Sequence, residues 1–284
     1  MSTRVNTRPR AGRARRWLPY LGVAVIVAYC LAPFYWMVVS SFRRTNDIFD
    51  MSALPSPWSL ENYRAVFSGD NEFGRALLNS FVVAGVTTIG TVVLATFAAY
   101  ALARLTFRFK NAVLAVVIAT SMFPGISLLV PLLKLFTDIG WINTYQSMIV
   151  PNLSFALPLA IWYLTTFFRQ LPAELEEAAR VDGCSRGQAF RKVILPIAVP
   201  GVFTTAIIVF VVAWNEFIIA LTMVNLPEMQ TATVRISQFV GFSGHDSPFG
   251  TKMAAGVIAT VPLVIAVLLF QRRIVAGLTS GGVK

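Results

Sequence analysis

The chain has 284 residues, 56% of them hydrophobic and 13% charged, with a net charge of +11. That apolar content exceeds what a soluble core of this size needs, so lipid is its solvent. The positive charge does not indicate a nucleic-acid binder, because the cations are distributed by connection instead of forming a basic patch on a soluble fold.

Residues 1–16 form a basic tail carrying Arg4, Arg8, Arg10, Arg13, Arg15 and Arg16, a solvated, membrane-facing stretch. A helix crosses the hydrocarbon with roughly 20 apolar residues, and about six stretches of that kind follow: 17–41, 76–103, 112–136, 148–168, 197–224 and 254–270. The first is too long for a cleaved signal peptide, and no small-residue cleavage site precedes Arg43 and Arg44. Arg104, Arg108 and Lys110 follow the second stretch without an acid, Arg169, Arg180, Arg186, Arg191 and Lys192 follow the fourth, and Arg272, Arg273 and Lys284 lie in the tail at 271–284. The positive-inside rule makes these connections cytoplasmic, and an even number of spans then puts both termini in the cytoplasm.

Of the opposite connections, 42–75 and 225–253 are long and 137–147 is short. Pro55, Pro57 and Trp58 ahead of Glu61-Asn62-Tyr63 predict a turn and a short helix from near Leu60. In the second stretch Ala95, Ala99 and Ala103, with Gly85 and Gly90 upstream, predict a close-packing face. Pro124, Pro131, Pro151 and Pro158 are expected to interrupt the third and fourth stretches, either as breaks in a path or as packing kinks. Cys30 and Cys184 lie far apart in this topology and make no disulfide framework.

The fourth connection has the grammar of two helices. Pro172 suits a first turn, Glu174, Glu176 and Glu177 complement the positive end of the dipole, and Gly183 can take the left-handed conformation that stops a helix. Ser185 and Gln188 form a Ser-x-x-Gln capping box, Arg191 and Lys192 are placed for a helix C-terminus, and Pro196 begins the return to the membrane. The pair presents Leu175, Ala178, Ala179, Val181, Ala189 and Phe190. Helices this short are marginal alone, so either a partner or the chain's own bundle must cover that face.

Glu177-Ala178-Ala179, three residues, Gly183, nine residues, and Val193-Ile194-Leu195-Pro196 resemble the EAA loop of ABC importer permeases, with Val193 standing where isoleucine is usual. Glu61-Asn62-Tyr63, Asn79-Ser80, Ala98 through Arg104, Met122-Phe123-Pro124, Trp214 through Phe217 and the ending from Gln271 to Lys284 extend the likeness to the carbohydrate-importing permeases of the maltose-transporter type, the smaller of the paired permeases. The resemblance implies an all-α polytopic membrane bundle of the type I ABC importer fold. A single permease domain would cover 17–284, with a helix-turn-helix coupling loop at 169–196. Implied partners are a second permease, two ATPases, an extracytoplasmic sugar-binding protein, the sugar and the lipid bilayer of a bacterial cytoplasmic membrane. ATP and Mg would sit on the ATPase, with no cofactor or metal on this chain. The docking set it implies is Glu174, Glu177, Ala178, Ala179, Asp182, Gly183, Phe190 and Arg191.

Sugars are held by aromatic faces and planar polar groups, which makes Phe123, Asn152, Trp162, Tyr163, Trp214 and Asn215 candidates for lining a path. Glu216 is an acid inside a predicted span, costly in hydrocarbon unless paired; it lines the path, or with Asn215 it bonds between helices or lies in a broken segment near the outer end. An intramembrane enzyme lacks its residues: the sole histidine, His245, is in a predicted outer loop, and the spans hold no carboxylate pair. No Gly-x-x-x-x-Gly-Lys-Ser/Thr loop occurs, so another chain must hydrolyse ATP. The remaining alternative is an ion-gradient-driven secondary transporter, which calls for ionisable groups at mid-membrane and an internal repeat.

Overall fold

The computed structural model describes residues 14–68, 71–239 and 248–279; most of the basic tail, His245 and the last five residues lie outside the described residues. Every regular element described is helical. Among the described residues five helices are long and apolar enough to cross a membrane, and a sharply bent pair, counted as one span, makes six.

Helix α1 (Ala14–Ser41) packs along α12 (Phe249–Thr279). Its C-terminal carbonyls would be orphaned in any helix, and Asn62 collects them. This side chain, buried on the short helix α2 (Glu61–Phe67), donates to the carbonyls of Ser41 at 3.0 Å and Arg43 at 2.7 Å. Arg43 lies with its guanidinium 4.8 Å from the Trp36 ring centroid and donates through Nη2 to the Ser52 carbonyl.

The centre of the bundle is α3 (Phe73–Arg104), packed against α6 (Tyr145–Gln170) and α9 (Leu195–Trp214). Small side chains make that approach possible: Ala84, Thr87, Thr91, Ala95 and Ala99 are fully buried along one face of α3. Ala103 is only half-buried, and Gly85 faces open space instead of a neighbour.

Two spans depart from the straight helices expected. The third is α4 (Lys110–Ser121) and α5 (Leu129–Asp138), joined through a 3-10 turn and bent by 83°. Pro124 at the break lacks a donor and forces the preceding residue out of the helical region. The fifth ends at Trp214, and after Asn215–Phe217 a short α10 (Ile218–Met223) takes over. In contrast, α6 runs unbroken through Pro151 and Pro158, which are buried against the bundle. Of the two outcomes open for these prolines, a break in a path or a packing kink, α6 shows no break.

At the end of the bundle opposite the C-terminus of α3, the 225–239 connection, which holds the short α11 (Ala232–Ser237), is tied down by asparagines. Asn79, buried in α3, donates to the carbonyls of Glu228 and Gln230, both at 2.9 Å, and accepts from the Tyr145 hydroxyl at 2.8 Å. Ser80 accepts from Ala232 N at 2.8 Å. Asn143, in the left-handed region at φ 61, accepts through Oδ1 from Asn225 N at 2.6 Å and Leu226 N at 3.1 Å. Asn79→Ala strands two carbonyls and a hydroxyl, each costing about 1–3 kcal/mol when buried without a partner. Hydrogen exchange across 225–239 is expected to accelerate sharply while exchange around residues 174–181 stays the same; unchanged protection in the connection would contradict this tie.

Candidate functional site

Two short helices form an elbow between α6 and α9. α7 (Glu174–Val181) starts with three acids in its first turn and closes on a Schellman turn. Gly183 N donates to the Arg180 carbonyl at 3.1 Å and Cys184 N to the Ala179 carbonyl at 2.9 Å, with Gly183 at φ 85. α8 (Arg186–Ala189) opens with the complete capping box: Gln188 N donates to Ser185 Oγ at 3.3 Å and Ser185 N to Gln188 Oε1 at 2.8 Å.

The second helix does not stop at Arg191 and Lys192. A π-helical segment, Phe190–Ile194, carries it straight into α9, with Leu195 N donating to the Phe190 carbonyl. This widened turn lies just before Pro196, whose missing donor and ring a regular helix would accommodate poorly. The cations therefore sit exposed on a continuous helix from Arg186 to Trp214, and the expected C-terminal capping role is withdrawn.

One face of the elbow is covered by the chain itself. Ala179, Ala189 and Phe190 are buried, and the Phe190 ring lies 4.5 Å from Tyr100 and 5.7 Å from Phe97. Leu175, Val193 and Ile194 join the same cluster with Phe168 and Leu164 of α6. Two polar contacts frame it: Tyr100 Oη donates to Glu176 Oε1 at 2.9 Å, and Arg104 Nη2 donates to the Leu171 carbonyl at 2.6 Å.

The other face is open. Glu174, Glu177, Ala178, Asp182, Gly183 and Arg191 are exposed together, and Val181 is 87% exposed. The elbow thus satisfies its amphipathic face on its own bundle and keeps a second, mostly polar face free. Ala179 and Phe190, which the EAA resemblance puts in the docking set, are on the covered side, Phe190 against Phe97 and Tyr100 of α3.

The path candidates separate in the same way. Phe123, at the α4–α5 bend, and Trp162 are 57% and 47% exposed, Asn215 is exposed and Tyr163 is half-buried. Asn152 is buried and donates to its own helix at the Met148 carbonyl, 3.0 Å away. Trp214 is buried with its ring 4.7 Å from Phe81 and its indole N–H on the Ala259 carbonyl at 3.2 Å. Glu216 turns its carboxylate onto the start of α10, accepting from Ile219 N at 2.6 Å and Ala220 N at 3.0 Å. It is satisfied by backbone donors and serves as a cap for the broken span.

Sequence reasoning missed the Tyr100–Glu176 and Arg104–Leu171 contacts, and the two asparagine ties. Tyr100, Arg104 and Asn79 stood in the stretches that carried the family resemblance, but nothing in their spacing named a partner so far along the chain.

Comparison with known proteins gives the context for this geometry. The family model for the binding-protein-dependent transport system inner membrane component matches residues 91–280. The trehalose transport system permease protein of Mycobacterium tuberculosis is 45% identical over 92% of this chain and 94% of its own length. The trehalose/maltose transport system permease protein of Thermococcus litoralis is 41% identical over 95% and 97%. Among solved structures, a chain of a bacterial ABC transporter that imports the acidic polysaccharide alginate superposes with a TM-score of 0.75 over 93% of this chain and 99% of its own, at 19% identity, a likeness of fold. An elbow between two spans, a bundle of this topology and matches of this extent leave no place for a secondary transporter: the chain belongs to the binding-protein-dependent transport system inner membrane components, the permease subunits of ABC importers.

Proposed function

We propose that this chain forms half of the translocation path of an ATP-driven sugar importer and docks a separate ATPase through the exposed face of α7 and α8. One observation carries the reading. The elbow already buries its apolar face on α3 and α6, yet leaves Glu174, Glu177, Asp182 and Arg191 exposed at the end of two spans. A polar surface fixed to a membrane bundle suits a soluble partner that pushes on it.

The other members follow from the class: a second permease to complete the path, two ATPases holding ATP and Mg, and an extracytoplasmic protein that delivers the sugar. The basic residues of the elbow, with Arg104, Arg108 and Lys110 of the second connection, orient both termini to the cytoplasm of a bacterial inner membrane, and residues 17–284 act as one permease domain. The names of the relatives, a trehalose and a trehalose/maltose permease, favour a glycoside as cargo. The exposed aromatics Phe123 and Trp162, with Asn215, are the path residues this reading keeps.

The test is co-purification of the tagged chain in detergent, identification of the subunits that accompany it, and ATPase assay with and without the cognate binding protein loaded with trehalose or maltose. An ATPase and a second permease in the complex, with hydrolysis stimulated by loaded binding protein, is the expected result. A chain that purifies alone and accumulates sugar on an ion gradient refutes it. Glu177→Lys reverses a charge on the free face without touching the core; it is expected to lower ATPase capture about ten-fold, the scale of a lost charge-assisted contact, with the permease pair still assembled.

A further inference from the structure

The two spans that bracket the elbow receive its motion through the chain itself: α6 runs into α7 within a few residues, and α8 continues as one helix into α9. Helix α3 does not. It is the centre of the bundle, but it meets the elbow only through side chains, and Tyr100 and Glu176 are 76 positions apart. We infer that the Tyr100–Glu176 hydrogen bond and the Arg104–Leu171 contact form a clamp that makes α3 move with the elbow, so that Tyr100, Arg104 and Glu176 are positioning residues for coupling. The inference rests on the docking reading above and adds the route from the docked face to the bundle.

The chemistry of the contact is what separates it from ordinary packing. The aromatic cluster of Phe97, Tyr100, Phe168 and Phe190 is held by non-directional forces, and rings at 4.5–6.2 Å can slide past one another under load. A hydroxyl on one carboxylate oxygen and a guanidinium on one main-chain carbonyl are directional. The first fixes the rotation of α7 about its own axis, because Glu176 lies one position from the exposed Glu177 on a short helix. The second fixes the joint where α6 ends, because Leu171 is the residue that leaves that helix. Both donors come from the last turn and a half of α3, so a displacement of the elbow pulls on the end of α3 at two points. The carboxylate is half-buried, where a charge-assisted bond is stronger than at a fully hydrated surface.

The experiment uses the assembled complex in proteoliposomes, with Cys30 and Cys184 replaced by Ser and spin labels at Leu94 and Arg180, two exposed sites on α3 and α7 outside the docking set. The expected result is a narrow label-to-label distance distribution that stays the same with and without ATP in the parent chain. Tyr100→Phe and Glu176→Ala broaden it and lower the trehalose imported per ATP about ten-fold, the scale of a lost hydrogen bond to a charged group. Glu176→Gln still offers Tyr100 an oxygen and restores the narrow distribution, a rescue that a role of the carboxylate charge on the ATPase would not give. A Tyr100→Phe complex with the parent distribution and the parent sugar-to-ATP ratio overturns the clamp. A parent chain that captures no ATPase overturns the docking reading instead, and the same distance measurement on the chain alone still decides the clamp.

Discussion

Gly183→Pro is expected to abolish sugar-stimulated ATP hydrolysis while the membrane bundle still assembles. Gly183 stands at φ 85, and its N–H donates to the Arg180 carbonyl at 3.1 Å in the turn that stops α7. Proline is locked near φ −65° and has no donor, and such a misfit costs about 3 kcal/mol or more in a hydrogen-bonded backbone. A helix of eight residues has little stability of its own to absorb that. The fault is purely in the backbone, since a Cβ at this position would meet nothing within 4 Å. The consequence is a reoriented α7 with its acids turned away from the face they now share with Asp182 and Arg191. Gly183→Asn, which tolerates the left-handed region, should stay close to the parent, and Gly183→Ala should fall between, at about 1–2 kcal/mol of strain. Stimulated hydrolysis and complex yield, measured side by side, check the series. Full stimulation in Gly183→Pro would refute the view that this turn aims the docking face, and a loss of the permease pair itself would mean the bundle depends on it.

That turn was legible in the sequence because its signals are local. A glycine after a run of helix formers, a Ser-x-x-Gln box two residues on and acids in a first turn act over one or two helical turns, and the structure contains each of them. The six apolar stretches were legible for the same reason: hydropathy sums over the length of a span. What failed was reading continuity from punctuation. Pro196 and the charged Arg191-Lys192 pair looked like a boundary, but a π-helical segment carries the helix across them. Pro124, Pro151 and Pro158 could each have been a break or a packing kink; α6 stays unbroken through Pro151 and Pro158, whereas Pro124 stands at a bend of 83°. The difference lies in what surrounds each proline, since α6 is enclosed by α3 and α9 and no residue of α4 is buried. The acid Glu216 was open to three readings, a path residue, a bond between helices or a place in a broken segment, and it stands in the broken segment, where its partners are backbone N–H groups a few residues away. The contacts that join the elbow to α3 link positions with no periodic relation, and only the fold brings them together.

Gly201→Ala is expected to loosen the joint between α6 and α9, and a second substitution in the same chain is expected to repair it. Gly201 is buried in α9, where an added Cβ would lie 2.7 Å from both Cγ and Cδ1 of Phe167 on α6. Those atoms are at the root of a rigid ring, so the side chain has no flexible end to move aside, and either the ring leaves its rotamer or the helices part. Overpacking of this kind costs about 1–3 kcal/mol. Lipid offers no hydrophobic force to hold the helices together once close approach is lost. Gly90 makes the control. Its Cβ would meet Leu153 Cδ1 at 2.8 Å, a terminal methyl on a flexible side chain, and Gly90→Ala should be close to neutral. Phe167→Ala alone removes packing from a half-buried ring and destabilises by its own route. In the double variant the new methyl occupies space the ring has left, so the two effects should fall short of their sum by about 0.5–3 kcal/mol, the range for residues in direct contact. Thermal unfolding of the four chains in one detergent measures that difference. Strict additivity would mean that Gly201 and Phe167 do not share the contact. A non-additive cycle places a close contact on the two spans that flank the elbow, where a rigid joint turns movement of the elbow into movement of both.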